Sequence, residues 1–502
     1  MQLDDVRPRR IGSHEDPEHD VDVLVEPGEE APETLDRVPD SVGEPEDHDD
    51  VVFETTGARS ERFAYRSRTC RHDDGATGAG MIRNVALLGS RYDANLGTRD
   101  RFHPLEEVIH HRAPADRQHL LGQLERLQAP GQPCSRHDPD NCLDAVQAER
   151  RLRAAEGSIK VLVTGTEGYI GSLLPPLLLE RGHELVGVDA CYYAQAHLYD
   201  AETPPYEVMK EDIRRLRPEH FEGIDAVVHM AELSNDPLGE LLPTITYDVN
   251  HQGSLHVAAT AKAAGVERFV YTSSCSVYGV AEEDLVDENS PLDPQTAYAD
   301  CKRLVERDVS ALADDSFSPT FLRNATAYGA SPRMRFDIVL NNLAGLARTT
   351  GVIAMESDGT PWRPLIHAED ICRAIVASLE APRERVHDQV LNVGAPGANF
   401  QVREIAEVVA DVFVGCELSI GERGADNRSY RVSFDRIRDV LPEFEPAWDI
   451  RKGAEQLRDV FERAGVTADH FASRDFIRLR QIEYLLGSGQ LDESLFWRNG
   501  DG

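Results

Sequence analysis

The sequence predicts an α/β protein: a doubly wound parallel sheet, a smaller mixed α/β lobe after it, and a disordered acidic N-terminal extension before it. Three observations carry that prediction. From Ser158 onward, continuous apolar, β-branched runs alternate with amphipathic stretches. A glycine-rich turn follows the first of these runs, and the chain before Ser158 shows neither feature. At 502 residues the chain is also too long for one ordinary core.

Residues 1–50 hold 18 acids against four arginines, with prolines at Pro17, Pro27, Pro32, Pro39 and Pro45, and read as a disordered acidic tail. Residues 51–157 have no sustained period. Val85–Leu88 could form a strand and Leu120–Leu127 a helix, but the segment stays unassigned, an extension outside any folded domain. Cys134, His137 and Cys142 are one residue short of a metal set and lack paired CxxC geometry, so a solvated loop and no metal are expected. Strands are then expected at Ile159–Thr164, Glu184–Asp189, Asp225–Met230, Arg268–Ser273 and Thr320–Asn324, with helices at Ser254–Ala264 and Ala297–Leu312. They define a sheet domain over 158–330. The shorter, mixed elements of 331–502 form the second lobe and C-terminal helices.

Composition excludes several classes of function. With 89 acidic and 53 basic residues the net charge is −36, which argues against a nucleic-acid partner. No apolar run reaches the roughly 20 residues of a membrane span. The start, MQLDDVRPRR, lacks a signal-peptide core, and eight scattered cysteines suit a reducing compartment, so a cytoplasmic location is expected. Only five basic residues are lysines, which makes each one worth attention.

Thr164-Gly165-Thr166-Glu167-Gly168-Tyr169-Ile170-Gly171 follows the first strand. Gly165 permits a tight turn, Gly168 a close approach to pyrophosphate, and Gly171 close packing of the helix expected to open there. Asp189, 18 residues past Gly171, ends the second strand, where a carboxylate accepts from a ribose diol and repels a 2′-phosphate. The expected cofactor is NAD rather than NADP, which makes 158–330 an NAD-binding domain. Tyr298 and Lys302, four apart, share one helix face, and a cationic lysine favours the phenolate of a neighbouring tyrosine, giving a base near neutrality. The preceding RFVYTSSCSVYG places a serine cluster at the carboxyl end of a strand, where open α/β sheets bind ligands.

Together these pieces resemble the extended short-chain dehydrogenase/reductase family, specifically its NAD-dependent nucleotide-sugar epimerases and dehydratases of the UDP-galactose 4-epimerase type, from about Ser158 to Arg498. The resemblance implies a Rossmann-type fold with Ser274, Tyr298 and Lys302 as catalytic residues. It implies Tyr169 and Ile170 in the cofactor turn, Asp212-Ile213 beside the adenine, and Ala231 at the HxAA strand end, where Glu232 stands in place of the second alanine. Asn250 matches a supporting asparagine of the long helix. In the second lobe it implies a nucleotide-diphosphate sugar held by Asn342 of Asn341-Asn342-Leu343, by Arg363, by the Arg423 and Asp426 pair, and by Tyr430. A homodimer is the family habit.

The implied chemistry is removal of the sugar C4 hydroxyl proton by Tyr298, with Ser274 holding that hydroxyl, as hydride leaves C4. The family's 4,6-dehydratases carry Asp-Glu after the catalytic residue, and its UDP-glucuronate decarboxylases carry Glu at the second position; here stand Cys275 and Ser276. Its 3,5-epimerases place a cysteine directly before the Ile/Val-Tyr pair. Cys275 lies one residue earlier, so packing is expected of it. That leaves 4-epimerisation, with a nucleotide-sugar 4-ketoreductase, dehydrogenase or dehydratase, or a non-catalytic nucleotide-binding module, as alternatives. Phe476–Arg498 reads as an amphipathic helix and tail that packs or contacts a subunit, without chemistry.

Overall fold

The computed structural model describes residues 157–498 apart from 201–204, 235, 281–283 and 422–428. The expectations for residues 1–156, and those for Arg423 and Asp426, lie outside these residues.

The described strands in chain order are β1 (Lys160–Thr164), β2 (Glu184–Asp189), β3 (Glu207–Lys210), β4 (Ala226–His229), β5 (Arg268–Ser274), β6 (Ser318–Asn324), β7 (Thr326–Tyr328), β8 (Val352–Ala354), β9 (Trp362–His367), β10 (Gln389–Val393), β11 (Asn399–Gln401) and β12 (Glu417–Ser419). Seven of them form one parallel sheet in the order β10-β6-β5-β4-β1-β2-β3. Strand order reverses between β1 and β4, so a crevice opens beyond their carboxyl ends. The principal helices are α1 (Leu174–Glu180), α2 (Ser254–Ala263), α3 (Ala297–Ser310), α4 (Val339–Thr350), α5 (Ala368–Glu380), α6 (Val402–Val412), α7 (Ile450–Arg463) and α8 (Arg478–Gly487). A π-helical turn, Tyr247–Gly253, runs into α2.

Period-two alternation divides the sheet's side chains between two cores. Val161 and Val163 of β1 join one cluster with Ile371 and Ile375 of α5, and Leu162 joins the other with Val257 of α2 and Val305 of α3. A third cluster, including Phe336, Leu340, Ile405 and Phe461, is the core of the second lobe.

Two strands of the large sheet were not expected. β3 is an edge strand with no buried residue, so it carries no apolar run to read. β10 comes from far along the chain, and with α5 and the α8 side chains Ile482 and Leu485 it completes the packing of the first sheet. The chain after residue 330 therefore contributes to both lobes.

Candidate active site

The glycine turn is fixed from beneath. Thr164, the last residue of β1, accepts the Met230 and Ala231 amides at 3.1 Å each on Oγ1, which lies 2.7 Å from His229 Nδ1. His229 Nε2 meets Ser254 Oγ at 2.8 Å, and burial holds the imidazole pKa down to about 3, so the ring is a neutral brace. Gly165 has φ +83°, and a Cβ there would sit 2.9 Å from the Ala231 nitrogen. At Gly171 a Cβ would collide with the Gly165 carbonyl. The helix expected at this turn starts later, at Leu174, because Pro175 and Pro176 lack N–H groups and fit only a first turn. Tyr169 and Ile170 line the cleft from the intervening turns, and the Tyr169 hydroxyl donates to Gly329 O at 2.7 Å, tying the turn to the chain after β7.

Asp189 ends β2 at the edge of the same cleft, where its two oxygens accept the Glu167 amide at 3.0 Å and the Cys191 amide at 2.7 Å. Burial nevertheless pushes its pKa up to about 6. Asp212, with Ile213 beside it, caps a short 3₁₀ turn and is clasped by Arg214, with Nη2 2.7 Å from Oδ2.

Ser274, Tyr298 and Lys302 line this cleft together with Gly165, Gly168, Gly171 and Ala231, around a volume of about 930 Å³. Thr296 caps α3 by accepting the Ala299 amide at 3.2 Å, which sets Tyr298 and Lys302 one turn apart at the cleft wall. The Lys302 ammonium lies 5.4 Å from the centre of the Tyr298 ring and donates to Thr272 O at 2.5 Å. Its counter-ion is Glu232, 2.6 Å away, with the two side chains only 4% and 1% exposed. The Tyr271 hydroxyl donates to the other Glu232 oxygen at 2.5 Å. Asn250 holds the loop beyond, accepting the Leu233 amide at 2.8 Å.

This arrangement alters the expected titration of Tyr298. Burial raises the phenol above its ordinary pKa, Glu232 and Asp236 add to the rise, and Lys302 and Arg335 only oppose it. The lysine alone thus does not bring the phenol to neutrality. Ser274 Oγ accepts the Ser276 amide at 3.1 Å at the start of a 3₁₀ turn. Cys275 turns away into the core, 1% exposed, with Sγ against Arg323 O at 3.1 Å and its thiol pKa raised by burial.

From the second lobe, Asn342, Arg363 and Tyr430 reach the cleft. Asn342 donates to Phe336 O at 3.0 Å and Arg363 to Trp362 O at 2.9 Å. Two further cleft arginines carry no motif in the sequence. Arg335 is paired with Asp337 at 2.8 Å and donates to Ser234 Oγ at 3.1 Å, while Arg478 opens α8. Among the described residues no cluster suits a metal ion, and no helix is long and apolar enough to cross a membrane.

Residues 161–394 match the model of the NAD dependent epimerase/dehydratase family. The UDP-glucose 4-epimerase of Neisseria meningitidis serogroup C is 30% identical over 268 residues, which are 48% of this chain and 78% of that protein. That of Lactobacillus helveticus is 29% identical over 305 residues, 56% of this chain and 91% of that protein. Among solved structures, MoeE5 in complex with UDP-glucose and NAD superposes with a TM-score of 0.54 at 26% identity, covering 61% of this chain and all of that one.

Proposed function

The chain belongs to the NAD dependent epimerase/dehydratase family, and on that premise we propose that it is a nucleotide-sugar 4-epimerase. The observation that carries this reading is the residue set of one cleft. Ser274, Tyr298 and Lys302 share it with the glycine turn and Asp189, and the two residues after Ser274 are a packed thiol and a hydroxyl rather than carboxylates. NAD fits the residues present, since the Gly165 backbone meets the cleft without a Cβ and Asp189 offers a carboxylate at its edge.

Gly165, Gly168, Tyr169, Ile170, Gly171, Asp189, Asp212, Ile213 and Ala231 would hold the cofactor. Bound NAD would supply a reversible hydride acceptor. Asn342, Arg363 and Tyr430, with Arg423 and Asp426 from the motif, would hold the sugar nucleotide. Tyr298 takes the proton of the sugar 4-hydroxyl and gives it back, and Ser274 Oγ orients that hydroxyl. Lys302, with the positive charge that oxidised NAD would supply, would favour the phenolate of Tyr298.

The test is proton NMR of UDP-, dTDP- and GDP-hexoses incubated in D2O with the enzyme as purified. A new C4 epimer without deuterium at C3 or C5 is expected, and Tyr298→Phe should abolish it while leaving sugar-nucleotide affinity largely intact. Product formed only on addition of NADH, with loss of absorbance at 340 nm, would make the protein a 4-ketoreductase instead.

A further inference from the structure

The C-terminal segment does more than pack. Its helix and tail are seated on the loop that follows Asp189. Gln481 donates to Tyr192 O at 3.0 Å, the Tyr192 hydroxyl donates to Leu495 O at 2.6 Å, and the Trp497 indole donates to Ala190 O at 2.7 Å. This seating carries Arg478 to the cleft wall, its guanidinium 3.9 Å over the Tyr193 ring. The side chain is 3% exposed, yet neither Nη1 nor Nη2 has a hydrogen-bond partner.

An unpaired guanidinium at that depth is costly, and burial without a partner pulls its pKa down to about 10. The carboxylates nearby are already engaged. Asp189 accepts the Glu167 and Cys191 amides, and Asp337 is held by both arms of Arg335. The unfilled partner is therefore an anion that enters the cleft. Two free Nη groups in one plane match the paired oxygens of a phosphate. The segment's anchors are Ala190 and Tyr192, directly after the carboxylate at the end of β2, whereas Arg363, the arginine facing the second lobe's side of the cleft, belongs to β9.

We propose that Arg478 is the side chain that binds the diphosphate of the dinucleotide cofactor. The proposal rests on the reading of this cleft as an NAD site. α8 thereby becomes a cofactor-binding element supplied from outside the glycine turn. Diphosphate is the shared chemistry of the cofactor and of a sugar nucleotide, so the test must separate them.

NAD-free protein is titrated by calorimetry with NAD, with adenosine and with UDP, for the wild type, Arg478→Met and Arg478→Lys. Arg478→Met keeps an apolar stem over Tyr193 and removes the buried charge. Its melting temperature without ligand should be unchanged or higher, its NAD affinity lower by roughly 10- to 100-fold, and its adenosine and UDP affinities unchanged. Arg478→Lys should recover part of the NAD affinity. NAD affinity within twofold of wild type in Arg478→Met overturns the proposal, and so does a loss confined to UDP, which would assign the arginine to the sugar nucleotide. A loss for adenosine equal to that for NAD, with a lowered melting temperature, also overturns it, since the role would then be structural. A wild-type protein that binds no NAD would sink the cofactor reading itself, a result distinct from any of these.

Discussion

At the scale of single residues, the ion pair between Lys302 and Glu232 sets the charge felt by the Tyr298 phenol. A carboxylate 2.6 Å from the ammonium cancels much of the field that Lys302 would otherwise place on Tyr298. Replacing Glu232 by Gln should leave the cation uncompensated and lower the phenol pKa. The acid limb of the kcat profile should then move to lower pH by about one unit, and ultraviolet difference titration against Tyr298→Phe should move with it. A curve that stays in place in both measurements would show that Glu232 and Tyr298 are uncoupled. Asp189 gives a second test. Its folded pKa of about 6 is raised, so its ionised form is disfavoured in the folded chain, and the stability it contributes is present below the ordinary carboxylate range and lost as pH rises through 6. A ribose diol needs the ionised acceptor, so NAD affinity should rise with pH through about 6 and level off above it. Asp189→Asn should be weak and flat over the same range, as calorimetry from pH 5 to 8 would show. Ser274, Tyr298, Lys302 and Asp189 were legible because fixed spacings mark them. Arg335 and Arg478 were not, since a lone arginine in an arginine-rich chain has no period, and Arg478 enters the cleft through contacts that join residues 289 or more apart.

At the scale of elements, β5, β6 and α3 are bolted together behind Ser274. Arg323 of β6 pairs with Glu306 of α3 at 2.7 Å, Ser273 of β5 donates to the same carboxylate at 2.5 Å, and Arg323 donates to the Tyr278 hydroxyl at 2.9 Å. Both charges are buried, so removing one strands the other. Glu306→Ala should cost about 3–5 kcal/mol in a urea titration, and the paired change Glu306→Leu with Arg323→Met much less. A single-variant loss below about 1 kcal/mol would mean that the network adds little. The parallel strands of this region were readable as apolar runs because both faces are covered. The exposed edge strand β3 was not, and neither was the delayed start of α1, where Pro175 and Pro176 outweigh the glycine pattern.

At the scale of the molecule, the cleft is lined by residues from Gly165 to Arg478, so a ligand that fills it joins segments that are distant in sequence. Binding to the folded state alone should raise stability by about 2.7 kcal/mol at a hundredfold excess over Kd. A thermal scan with NAD should show the transition moving up as cofactor is added, and an unmoved transition would mean that no such site exists. One consequence of the seating of Trp497 on Ala190 concerns how the protein is made. The two residues are 307 apart, and at roughly 5–20 residues per second the ribosome needs roughly 15–60 s to pass from one to the other. Through that interval the glycine turn and Asp189 are already translated while the segment that seats on Ala190 and Tyr192 is still being synthesised. With Arg478 as the proposed diphosphate ligand, cofactor capture becomes a late event in the life of the nascent chain.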